Sequence, residues 1–257
     1  MKAIAIVPAR MGSSRFPGKP LADIHGLSMV GHCAFRTRLC QSLIGTYVAT
    51  CDQEIFDAIS RAGGEAVMTS PSHERATDRC AEAMLKIEAN LGFQVDIVVM
   101  VQGDEPMVTP EMIEASLAPF RGGDASIQVV NLMAPMHSAE EFEDPNEVKV
   151  VVDRFDNAIY FSREPIPSRR KGAVSVPMLK QVCIIPFRRD FLLAFNAMPQ
   201  TPLEIIESVD MMRIIENGGK VRMVLSNTDT LSVDTPADLE RVRVKMTADP
   251  LIQRYIR

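Results

Sequence analysis

The stretch Ile4-Ala5-Ile6-Val7-Pro8-Ala9-Arg10-Met11-Gly12-Ser13-Ser14-Arg15-Phe16-Pro17-Gly18-Lys19-Pro20-Leu21 sets the architecture. An aliphatic run stops at Pro8, and the eleven residues from Ala9 to Lys19 carry two Gly, two Ser, two Arg and one Lys. This reads as a buried strand feeding a basic, glycine-containing loop. At the carboxyl end of the first strand of an α/β sheet, backbone N–H groups and fixed cations converge on one spot, which suits a polyphosphate. The loop has neither the G-x-x-x-x-G-K-[ST] spacing of an NTPase nor the G-x-G-x-x-G of a dinucleotide binder. Taken alone, it is equally compatible with a surface turn bearing solvated cations.

Downstream, apolar spacing predicts a helix over 29–39 with Arg36 and Arg38 outward, a strand over 45–50, a helix over 53–62 closed by Gly63-Gly64, and a strand over 65–69. A helix over 77–91 precedes Val95 to Val101, an almost unbroken apolar run of the kind buried on both faces of a parallel sheet. The alternation of strand and helix predicts a mostly parallel sheet. Thr109-Pro110 opens a helix to about Phe120, and Ala125 to Met133 reads as a strand. The acidic 138–143 reads as a short helix or loop. Two short strands, 148–152 and 158–161, then interrupt the alternation, and 164–177, with three Pro and the run Arg169-Arg170-Lys171-Gly172, reads as a mobile loop. One strand is expected over 180–187, and one helix from the capping box Thr201-Pro202-Leu203-Glu204 to Asn217. A strand over 221–225 and a helix from Pro236 to about Met246, capped by Thr235, complete the chain.

The 257 residues, 46% of them hydrophobic, suffice for one large α/β domain or two small ones. No 18-residue apolar span exists and the N-terminus runs straight into a strand, so a membrane protein or a cleaved leader is disfavoured. The net charge of −5 is spread without basic blocks, which argues against a nucleic-acid partner. Five cysteines without a C-x-x-C indicate reduced thiols in a cytoplasm, and the four histidines form no metal pair.

Asp104, in Gln102-Gly103-Asp104-Glu105-Pro106, follows the buried run and projects over the edge where the first loop opens. Asp234 occupies a similar strand-to-helix corner. Two carboxylates beside a cationic loop are hard oxygen ligands of the kind Mg²⁺ needs when substrate phosphates complete its shell. Each is also, on its own, an ordinary turn or cap-flanking residue.

The first loop, P-A-R-x-x-S-x-R-x-P-G-K-x-L, resembles the signature of the 3-deoxy-manno-octulosonate (KDO) cytidylyltransferases, also called CMP-KDO synthetases. V-Q-G-D-E-P at 101–106 resembles the family's second signature, and S-V-D-T-P-x-D-L-E at 232–240 its third. N-E-V-K-V-V at 146–151, Y-F-S-R at 160–163 and P-L-E at 202–204 also correspond, so the likeness spans about 3–246. The resemblance implies a Rossmann-like, glycosyltransferase-A-like nucleotidyltransferase fold: a mixed, mostly parallel sheet with helices on both faces. It implies a single domain over 1–257 with a dimerisation and acceptor-binding arm at about 155–198, a homodimer, and a place in lipopolysaccharide biosynthesis. The implied reaction is transfer of CMP from CTP to a carboxylated sugar acid with release of pyrophosphate, dependent on Mg²⁺.

By the same resemblance, Arg10, Lys19, Asp104 and Asp234 are catalytic, with Asp104 and Asp234 holding the metal. Pro8, Ala9, Arg10, Ser13, Arg15, Lys19, Thr77, Arg79 and Gln102 bind the nucleotide. Arg163 grips the acceptor carboxylate, joined on the acceptor side by Gln181, Asp210 and Met211. Two regions depart from the family pattern. H-E-R-A-T-D-R at 73–79 has Arg75 and Ala76 where the family has Ser and Gly, which bears on the strictness for CTP. Lys180 to Arg188 has Gln181, Cys183, Ile185 and Phe187 where the family has His, Gly, Tyr and Tyr, and Met211 replaces a glutamine. A pocket that loses several polar handles changes which acid fits, so amino-KDO and a phosphonate acid such as phosphonoformate stand beside KDO as acceptors. A binding protein without turnover and a transferase using another base complete the alternatives.

Overall fold

The computed structural model describes residues 1–12, 16–170, 176–228 and 230–256. Ser13 and Arg15 of the first loop, and Lys171 and Gly172 of the basic run, lie outside the described residues. The first half runs β1 (Ala3–Ala9), a small hairpin β2 (Asp23–Ile24) and β3 (Leu27–Ser28), α1 (Met29–Arg38), β4 (Leu43–Thr50), α2 (Gln53–Arg61), β5 (Glu65–Met68), α3 (Ala76–Leu91), β6 (Ile97–Val101) and α4 (Pro110–Arg121). The second half comprises β7 (Val130–Pro135), α5 (Ala139–Glu143), β8 (Lys149–Val152), β9 (Ala158–Ser162), β10 (Leu179–Val182), β11 (Ile184–Arg188), α6 (Arg189–Ala197), α7 (Pro202–Glu207), α8 (Met211–Glu216), β12 (Arg222–Leu225) and α9 (Pro236–Met246).

The strands form two five-stranded sheets and the hairpin. The first has the order β11-β6-β1-β4-β5, parallel except for the antiparallel edge strand β11. Every residue of β1 is buried because both of its faces are covered. Ile4 and Ile6 pack with Cys80, Met84 and Ile87 of α3, whereas Ala3, Ala5 and Val7 pack with Val30 and Cys33 of α1, Ile55 of α2 and Leu117 of α4. The period of two along a strand thus sends alternate side chains into two separate cores. The second sheet, β12-β7-β10-β8-β9, is mainly antiparallel, and a Val129–Phe187 bridge ties it to the first.

Four local expectations are corrected. The strand expected over 180–187 is two strands in two sheets: β10 pairs with β7 and β8, whereas β11 pairs with β6. The change of sheet falls at Cys183, whose carbonyl accepts a 3.0 Å hydrogen bond from Gln102 N–H. The helix expected over 201–217 breaks into α7 and α8, because Ser208 adopts a left-handed conformation (φ 53°) and closes α7 on the Glu204 carbonyl. Arg36 does not point outward: its side chain is 1% exposed, its Nε donates to Val108 O, and its Nη1 pairs with Asp249 at 2.6 Å. The strand expected from Ala125 starts only at Val130, since Asp124 holds Ser126 N–H in a turn. Of the range 155–198, β9 and β10 belong to the second sheet and β11 to the first.

Candidate active site

β1 and β6 are parallel neighbours, so Ala9-Arg10 and Gln102-Gly103-Asp104 leave the sheet at the same edge. Gly103 is required there: a Cβ at this position would lie 2.9 Å from the Pro8 carbonyl oxygen. Gly18, with φ 73°, turns the first loop into the short 3₁₀ helix that begins at Lys19. The Lys19 ammonium then lies 3.0 Å from Asp104 Oδ2, 3.5 Å from Asp234 Oδ1 and 2.8 Å from Val233 O. Asp234 is brought in by two backbone contacts: Val233 N–H donates to Asp104 O, and Asp234 N–H donates to the Asp238 carboxylate. Burial acts to lower the Lys19 pKa, but Asp104 and then Asp234 outweigh it, and the group stands above its ordinary value.

Two clefts meet at this point. The first, of about 370 Å³, is lined by Pro8, Ala9, Arg10, Lys19, Arg79 and Gln102 together with Gly12, His73 and Asp104. Arg10 is exposed at its edge, and Asp52 fixes the following turn by accepting from Met11 N–H at 2.7 Å. Arg79 lies on α3. It is buried and donates to the Thr69 hydroxyl and to the carbonyls of Ser70 and His73, which shapes the turn facing this cleft. Thr77 does not line the cleft: it is buried, and its hydroxyl points to Asp210 Oδ2 at 3.4 Å.

The second cleft, of about 300 Å³, gathers Arg163, Gln181, Asp210 and Met211 with Asp104 and Asp234. Arg163 is oriented by neutral carbonyls, donating to Glu207 O and Pro145 O at 2.8 Å each, so its charge still faces the cleft without a carboxylate bound to the guanidinium in these bonds. The Glu207 carboxylate accepts from Tyr160 OH, Ser162 OH and Arg163 N–H, which locks that segment. Gln181 is held by its side-chain amide donating to Asn131. Lys149, fully buried, donates to the carbonyls of Asp144 and Glu147 and so fixes the turn that presents Asn146 and Glu147 to the cleft.

Sequence reasoning missed Glu105 and the pairing of Arg75. Glu105 is buried in the second cleft's wall and accepts from the Thr230 hydroxyl; burial first, then the Asp104 charge, push its carboxyl up to about 7. Its place directly after Asp104 was the available signal. Arg75 pairs with Asp210 at 2.8 Å, a contact between segments far apart in the chain with no local signature.

The chain as a whole is similar to known proteins. A family model described as Cytidylyltransferase matches residues 4–224. The chain is 43% identical over 257 residues to the 3-deoxy-manno-octulosonate cytidylyltransferase of Geobacter metallireducens, covering 96% of this chain and 98% of that relative. The chain belongs to the 3-deoxy-manno-octulosonate cytidylyltransferase family. A second family member, from Syntrophotalea carbinolica, is 42% identical over 254 residues, covering 96% of this chain and 99% of that one. Among solved structures, a CMP:2-keto-3-deoxy-manno-octonic acid synthetase complexed with CTP superposes with a TM-score of 0.87 at 40% identity, covering 96% of this chain and 99% of that one. A cytidylyltransferase from Leptospira borgpetersenii, 16% identical with a TM-score of 0.60 over 96% of this chain and 87% of that one, shares the fold. The fold class read from the sequence, a mixed α/β nucleotidyltransferase with a parallel sheet and helices on both faces, is that of this family.

Proposed function

We propose that this protein transfers the cytidylyl group of CTP to KDO and releases pyrophosphate. The observation that carries this reading is the Lys19 ammonium, which draws Asp104 and Asp234 together where the two clefts meet. The first cleft suits the nucleotide, with Arg10 and Lys19 beside its phosphates. The second suits an acid, whose carboxylate the Arg163 fork can grip. A hydroxyl of the acid attacks the α-phosphorus in line; the new P–O bond forms as the bond to pyrophosphate breaks, and the hydroxyl proton is released to water. Arg10 and Lys19 stabilise the charge that builds on the departing pyrophosphate.

Mg²⁺ fits the residues present, because Asp104 and Asp234 already turn two hard oxygen groups towards a single cation. When bound, it supplies Lewis-acid polarisation and charge neutralisation. Asp104 and Asp234 would hold it, and the Lys19 ammonium between them faces the cleft proposed for the phosphates. A homodimer in the cytoplasm completes the proposal, supported by five free thiols and by exposed Phe155 and Ile159 in the arm.

Ile185 and Met211 favour a second reading, in which a modified acid replaces KDO, since both give the acceptor cleft apolar wall. Pyrophosphate release with CTP and Mg²⁺ against KDO, amino-KDO and phosphonoformate, wild type beside Asp104→Ala, tests both. Release with KDO that is lost in the variant supports the first reading. Release with another acid alone supports the second, and silence with every acid overturns both. Replacing CTP by UTP or GTP checks the base.

A further inference from the structure

Glu74, Arg75, Ala76, Gln102 and Asp104 line both clefts, and among these shared described residues Arg75 is the cation. It occupies the N-cap position of α3, yet its side chain makes no capping bond there. It reaches away instead. Nη1 donates to Asp210 Oδ1 at 2.8 Å, and Nη2 lies 3.6 Å from Glu204 Oε1. With the Gln200 amide oriented oxygen-inward, that oxygen accepts from Nε and Nη2 at 3.1 Å each. Gln200, Glu204 and Asp210 all belong to the segment around α7 and α8; Asp210 lines the second cleft and none of the three lines the first.

The second cleft has a charge imbalance that gives this placement a purpose. Glu74, Asp104, Glu105, Glu147, Asp210 and Asp234 line it, and although Lys19 bridges Asp104 and Asp234 and Lys180 pairs with Glu147 from behind, the cations among its described lining residues are Arg163 and Arg75. An acidic acceptor entering that field is repelled unless fixed cations meet it. Arg163, which lines the second cleft and not the first, provides one. Arg75 provides the other on the wall that the two clefts share with Asp104. Its side chain is 24% exposed, so the guanidinium is held by its partners and still open to a ligand.

We propose that Arg75 is a specificity-determining residue for the acceptor: drawn across the shared wall by Asp210 and Glu204, its guanidinium donates hydrogen bonds to oxygen atoms of the sugar acid and not to the nucleotide. This rests on the cytidylyl-transfer reading above. It explains how a cleft that has lost hydroxyl and amide handles at Ile185 and Met211 retains a polar grip on its substrate.

The test compares Arg75→Ser, Arg75→Lys and Asp210→Asn with wild type. Acceptor KM is measured for whichever acid of the panel the wild type uses, and CTP affinity is measured separately by calorimetry without acceptor, which also shows that each variant is folded. Arg75→Ser should raise the acceptor KM at least about ten-fold, the scale of a lost charged hydrogen bond, while the CTP Kd stays within about three-fold. Arg75→Lys, which keeps the charge and loses the fork, should fall between. Asp210→Asn, which releases the guanidinium, should also raise acceptor KM. A weaker CTP Kd with an unchanged acceptor KM overturns the proposal in favour of a nucleotide contact, and so does no change in either. A wild type silent with every acid removes the underlying reading and this one with it, and the wild-type control alone reveals that case.

Discussion

Lys19 bridges Asp104 and Asp234 at 3.0 and 3.5 Å, and without that ammonium the two carboxylates repel across a partly buried gap. Substituting Lys19→Met therefore removes the cation proposed to meet the phosphates and the counter-charge of two aspartates together. We expect kcat to fall by about 10²–10³, the scale of one lost preorganised donor, with pyrophosphate release as the readout. An equal loss with Lys19→Arg would point to the compact ammonium, not charge alone, as what the gap requires. At this scale the sequence was informative where a residue ends a strand. Lys19, Asp104 and Asp234 all follow or flank strand and turn signals, so their convergence could be read from topology. Arg36 could not be read that way. Helical spacing placed it outward, but the carbonyls of Met107 and Val108 and the Asp249 carboxylate, all distant in the chain, satisfy its guanidinium inside.

Among the elements, α9 serves the site through its N-terminus. Thr235 accepts from Asp238 N–H, and the Asp238 carboxylate returns to the backbone N–H of Thr235 and of Asp234. The capping box thus fixes the helix and aims Asp234 in one arrangement. Replacing Thr235→Ala should cost about 1 kcal/mol, a fall in melting temperature of about 2–4 °C, measurable by thermal unfolding. Pyrophosphate release should fall as well, because Asp234 loses part of its support. The sequence announced this cap plainly, as it announced Thr201 and Pro202 at the start of α7. It did not announce where α7 stops. Ser208 carries no glycine-like signal, yet it takes a positive φ, and the break presents Asp210 to the acceptor cleft. Likewise nothing in the apolar run Val182-Cys183-Ile184-Ile185 marks the point at which the chain leaves one sheet for the other.

Across the whole molecule, the C-terminal segment clasps α1 behind the site. Asp249 pairs with Arg36, whose Nε and Nη2 donate to the Val108 and Met107 carbonyls respectively, a few residues beyond Asp104 in the chain. Tyr255 OH donates to His32 Nδ1 at 2.8 Å while His32 Nε2–H donates to Ile24 O at 2.7 Å, so one neutral tautomer satisfies both. Burial, reinforced by Arg36 and His25 and opposed by the Ile24 carbonyl and Asp23, pushes the His32 pKa from 6.5 down to about 4. The folded state therefore binds fewer protons than the unfolded state between these values. The stabilisation is complete above about pH 6.5 and is lost as the pH falls towards 4, by about 3 kcal/mol in all. Denaturant titrations across that range should show this loss in the wild type and a flatter profile in His32→Gln. A variant profile as steep as the wild type would assign the acid sensitivity to other groups.

The sequence by itself determined the parallel α/β core and the strand-end loops, and its resemblance to a known family singled out the lysine and two aspartates that the structure brings together. These follow from local periodicity, strand ends and motif spacing, which are properties of neighbouring residues. Only the tertiary structure decided that Arg75 faces Asp210, that Arg36 is buried, and that 180–188 divides between two sheets. Each depends on a partner supplied by a distant segment, and a side chain's burial or charge pairing is fixed by the partner that packing brings to it.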